Sequence, residues 1–161
     1  MHAHLLLTLT AGLLAAPAPA DKDPLVGTWV IVSAVRDGKA FDEIKGEKLS
    51  FTRDGKLTVT AKNEEEKATY KVDASKKPAT IDITFEDRPG NSKVGRLGKK
   101  PATIEVAIRR ENTVTFHGIY ALEGDTLKIC LPIKPGGPRP TELSSKEGSG
   151  NGLIVLKRQK K

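Results

Sequence analysis

From Leu25 to the C-terminus almost every segment alternates apolar and polar side chains, in short runs closed by turn residues, and no stretch carries a sustained helical stripe. Successive side chains of a strand point to opposite faces, so each run reads as a strand with one buried side. The segments are Leu25–Val35, Leu49–Thr52, Lys56–Lys62, Lys67–Asp73, Ala79–Glu86, Ala102–Arg109, Thr113–Leu122, Thr126–Leu131 and Leu153–Arg158. Asp37-Gly38, Asp54-Gly55 and Glu123-Gly124-Asp125 supply turns, and Phe41–Gly46 has room for one helical turn. So many short strands in one small chain curl into a barrel or a sandwich rather than lie flat.

The first twenty residues, MHAHLLLTLTAGLLAAPAPA, hold no Lys, Arg, Asp or Glu and end in small residues. Their apolar stretch is too short to span a bilayer, and Ala18-Pro19-Ala20 fits a cleavage site, so 1–20 reads as a secretory signal peptide and 21–161 as one domain. Export to the periplasm or cell exterior is the expected localisation, with no transmembrane helix in the mature chain. Cys130 is the single cysteine, so no intrachain disulfide forms and the fold rests on its core. Its neighbours Leu127, Ile129 and Leu131 share the other strand face, which turns the thiol outward, where it either pairs with a second chain or lies half covered by a neighbouring loop; the covered thiol is the expectation.

The net charge is +7, from 27 Lys and Arg against 20 Asp and Glu. Such an excess favours a polyanion partner. The basic residues are nevertheless spread along the chain, with one dense cluster at Lys157–Lys161, which describes a solvated surface. Aromatic residues are scarce and none is interleaved with that cluster, which disfavours nucleic acid. After cleavage His117 is the remaining histidine, on an outward strand position. No nucleophile elbow, metal-ligand spacing or phosphate-cradling loop is present, so no catalytic residue, cofactor or metal is assigned. Glu64, Glu65 and Glu66 read as a solvated turn tip.

Parity counted from Trp29 predicts an interior set that contains Ile31, Phe51, Val59, Tyr70, Ile83, Phe85, Phe116 and Tyr120, with Leu49, Leu57, Val72, Ile81, Leu127 and Ile129 beside them. A filled core and a ligand cavity use the same residue types, so the set fits both. Two further features stand out. The hexapeptide KKPATI occurs at 76–81 and again at 99–104, which reads as a local duplication; residues 132–151 form a long connection rich in Pro, Gly and Ser.

LVGTW at Leu25–Trp29, with GIYALEGDTLKIC, RPTEL and GLIVLKR after it, resembles a lipocalin-like domain family of uncharacterised proteins abundant in Planctomycetes. The resemblance implies an all-β, antiparallel up-and-down barrel. It places Gly27, Trp29 and Arg158 at a closed barrel floor, with the indole under a basic side chain. The second KKPATI then belongs to an inserted hairpin, from about Ile81 to Val114, which keeps the strand number even. The expected function is a non-catalytic binding protein with a small apolar or amphipathic ligand in the barrel. The alternative is a filled barrel that serves as an interaction module for a protein or polyanion.

Overall fold

The computed structural model describes residues 24–62, 64–86 and 113–160. Their strands are β1 (Gly27–Arg36), β2 (Lys39–Ala40), β3 (Lys48–Phe51), β4 (Lys56–Ala61), β5 (Glu64–Asp73), β6 (Ala79–Glu86), β7 (Thr113–Glu123), β8 (Thr126–Pro132) and β9 (Asn151–Arg158). Apart from the two-residue β2, which folds back on the end of β1, each strand pairs antiparallel with the next, and β9 closes antiparallel on β1. The result is an eight-stranded, closed, up-and-down β-barrel. A 3-10 turn, Asp42–Ile44, lies where the sequence left room for one. Among the described residues no helix is long and apolar enough to cross a membrane.

The alternation predicted from Trp29 is the alternation that closes the barrel. Trp29, Ile31, Leu49, Phe51, Leu57, Tyr70, Ile81, Ile83, Tyr120, Leu127 and Ile129 are buried in one cluster, joined by Leu25, Ala34, Ala68 and Leu156. Two departures have local causes. The β1–β9 register slips between Ile31 and Ser33, a bulge that leaves Val32 and Ser33 outside and turns Ala34 inward. Val72 keeps the inward register but is 36% exposed, because the β4 ladder against β5 ends at Lys56↔Thr69 and no β4 residue lies beside it.

Glu64, Glu65 and Glu66 are not a turn tip. They open β5, paired with Ala61, Thr60 and Val59. Lys62 takes a positive φ of 52°, so the reversal is complete before the glutamates and they join the ladder.

β6 and β7 stay paired to their ends at Glu86↔Thr113, and closure of the barrel is undisturbed. The second KKPATI, most of the expected hairpin and the signal segment lie outside the described residues.

The long connection after β8 does not cross the barrel interior; it runs as a strap over the outside. Ile119 of β7 and Cys130 of β8 face away from the barrel, yet both are buried, as are Pro140 and Ser145 of the strap. The Cys130 thiol donates to the Ser144 carbonyl at 3.3 Å, which places it under the strap. The far end of the strap is fastened to the β1–β2 turn: Gly38 N–H donates to Ser145 O, and Gly150 N–H donates to the Asp37 carboxylate. Gly38 has φ 80°, and a Cβ there would sit 2.7 Å from the Glu147 backbone nitrogen, so both the turn and the close approach require glycine.

Candidate functional site

One end of the barrel is sealed. Trp29 is fully buried, and its indole N–H donates to Leu25 O at 2.8 Å. The Arg158 guanidinium lies 4.2 Å from the centre of the indole ring, within cation–π distance. The same group donates to Val26 O at 3.0 Å and Pro24 O at 2.8 Å, and its Nε approaches Asp125 at 3.4 Å. Gly27 lies between them with φ 133°, and a Cβ there would come within 3.1 Å of Arg158 Nη1. Antiparallel register brings Trp29 opposite Arg158. The start of the first strand and the end of the last thereby become one hydrogen-bonded plug.

The eight residues assigned to a candidate cavity divide along the barrel axis. Ile31, Phe51, Tyr70, Ile83 and Tyr120 belong to the buried cluster on the sealed side. Phe51 and Tyr70 meet edge to face with ring centres 4.9 Å apart, and Tyr70 donates its hydroxyl to Thr52 O, so this half is filled with mutually packed rings and aliphatic chains. Val59 and Phe85 lie toward the opposite end and are only partly buried, as are Leu131 and Ile154 of β8 and β9. Phe116 is buried and meets Phe85 edge to face at 6.0 Å.

That opposite end is the mouth. Phe41 and Ile44, from the link between β2 and β3, pack on the core there. Phe41 N–H donates to Ala34 O, and the Arg36 guanidinium sits 5.6 Å from the Phe41 ring centre. Glu66, directly opposite Val59, shares its inward face. Partial burial raises the Glu66 carboxyl above its ordinary value, and burial likewise raises Glu47, with the charge of Lys62 acting the other way. Among the described residues no hydrogen bond or ion pair reaches the Glu66 carboxylate.

Outside the barrel a second polar group forms. Asp82 of β6 and His117 of β7 are cross-strand partners. Asp82 Oδ1 accepts from Arg139 of the strap at 2.7 Å and lies 3.0 Å from His117 Nδ1. Arg139 also donates to the Gly118 carbonyl. Partial burial pushes the Asp82 carboxyl up, but the hydrogen bonds from His117 and Arg139, with the charge of Arg139, outweigh it and hold the group below its usual value. These contacts fasten the strap to the strands. Burial beneath the strap raises the Cys130 thiol, the opposite of what a reactive thiolate needs.

Sequence reasoning missed Glu66, Asp82 and Arg139. Asp82 stands in an alternating run, ATIDITFE, where period alone marks it as an outward strand position and nothing more. Arg139 lies in a loop with no period, and only the register shows that they meet. Compared with family models, curated proteins and solved structures, the chain finds no match.

Proposed function

We propose that this is an exported, non-catalytic binding protein that holds a small apolar or amphipathic ligand in the mouth half of its barrel. The observation that carries the reading is the asymmetry of the inward face. The floor half holds the fully buried Trp29 and the Phe51–Tyr70 ring pair, with Val72, Ala79 and Leu122 partly covered at its rim, whereas at the other end Val59, Phe85, Leu131 and Ile154 are all only partly buried. A concave apolar surface with a few convergent polar groups is the usual form of a small-molecule site. The lipocalin-like resemblance and the expected signal peptide agree with such a role outside the cytoplasm.

Native mass spectrometry of the protein purified from its own host tests this. A reproducible bound mass, lost when Phe85 is replaced by Asp, is expected; a chain that emerges bare and takes up no apolar probe overturns the reading. The solid floor half and the net charge of +7 favour a second reading. In it the barrel is an interaction module for a protein or polyanion, and the same bare spectrum would accompany a stable complex with that partner.

A further inference from the structure

Glu66 stands out because of where it sits. In a chain with an excess of seven positive charges, an inward strand position at the mouth carries a carboxylate. The basic side chains of β5, Lys67 and Lys71, fall on the outward register. An inward carboxylate contributes nothing to core packing, and this one has no cation to meet among the described residues. Directly opposite is Val59, and one step further into the barrel are Ala68 and its cross-strand partner Phe85. Phe85 is partly exposed and stands edge to face with Phe116. Aromatic faces attract cations through the ring quadrupole, and a neighbouring carboxylate adds direct charge pairing; together they recognise ammonium groups.

We propose that the mouth selects a cationic amphiphile, an amine or quaternary ammonium whose head meets Glu66 and the Phe85–Phe116 pair while its chain lies along Val59 and Ala68. This deepens the ligand-binding reading and rests on it. Selection runs against the field of the whole molecule, since a net charge of +7 draws anions in from a distance. A preference for cations therefore has to come from the site.

The test uses the protein with decanol, decyltrimethylammonium and decyl sulfate as probes, each below its micelle concentration, read by displacement of N-phenyl-1-naphthylamine. Decanol is expected to bind. Decyltrimethylammonium is expected to bind about tenfold more tightly than decyl sulfate, a difference of about 1.4 kcal/mol. Glu66→Gln should abolish that preference with decanol unchanged, and Glu66→Lys should reverse it. Decanol binding with decyl sulfate equal to or tighter than the cation, or a preference that survives Glu66→Gln, overturns the inference and leaves the ligand reading standing. If none of the three displaces the dye, decanol included, the underlying reading fails and this one with it. Circular dichroism of both variants checks that the barrel is intact.

Discussion

The two ends of this barrel are built from opposite materials. At the floor one guanidinium stacks on the indole and satisfies two backbone carbonyls, so polar groups there are used up holding the first strand to the last. At the mouth a carboxylate points inward with no such use, beside rings that are only partly covered. A buried polar group that is fully paired fixes structure, whereas a carboxylate at an exposed position such as Glu66 costs the fold little when left unpaired. The floor thus carries the fold, and the mouth is free to hold a charge that the fold does not use.

The largest effect that tests this division is at Trp29. Removing a fully buried indole leaves a cavity and takes away the N–H that it donates to the Leu25 carbonyl, so Trp29→Ala should cost about 3–5 kcal/mol in denaturant unfolding. A variant of native stability would remove the floor from one side of the comparison.

Arg158→Ala is the next in size and more pointed. It keeps the indole but strips the stacked cation and the donors to Pro24 and Val26, for an expected loss of about 1–3 kcal/mol. Arg158→Lys should recover less than half of it, because an ammonium lacks the planar fork that meets both carbonyls at once. Full recovery with Lys would mean that charge alone matters there.

The strap gives a smaller effect and a pH dependence. Arg139→Ala should destabilise by about 1 kcal/mol and speed labelling of Cys130 by a thiol reagent, since the contacts that hold the strap over the thiol start at Asp82. Asp82 has a folded-state value below its usual 3.8, so its contribution is fully present above that value and is lost as pH falls through the lower folded one. Divided by the rate of a free thiol at the same pH, which removes the loss of thiolate in acid, labelling of the wild type should thus stay slow through mild acid and accelerate only at lower pH. Acceleration already near neutrality would show that a group other than Asp82 holds the strap.

The barrel itself was legible because its interior face is written in a strict period of two, and Trp29, Phe51, Tyr70 and Ile83 obey it. Where the period breaks, the reading breaks with it. Ala34 turned inward through a bulge that no residue type announces, and Val72 lost its cover to the length of another strand. Cys130 was legible as an outward thiol under a loop, because its parity and the long Pro- and Gly-rich connection are both visible. The Asp82–Arg139 contact was not, because it joins a strand to an aperiodic loop far away in sequence. Glu66 was misread for a related reason: three adjacent glutamates look like a solvated tip, and only their pairing with β4 shows that the strand has already begun.

The smallest expected effect on stability is at Glu66, and its smallness is what separates function from structure. A carboxyl whose folded value lies above its unfolded one is more favourably ionised in the unfolded chain. The fold therefore gains stability as pH falls through that raised value and gains none from the charge at neutral pH. Glu66→Gln should leave stability at neutral pH within about 0.5 kcal/mol of the wild type, on the stabilising side if it moves at all. Trp29→Ala is expected to do the reverse, with a large loss of stability and little change in the ranking of probes once folded protein is selected. If Glu66→Gln instead destabilised the barrel by as much as Arg158→Ala, the carboxylate would be a structural group. The two ends would then differ in composition only, and not in the work they do.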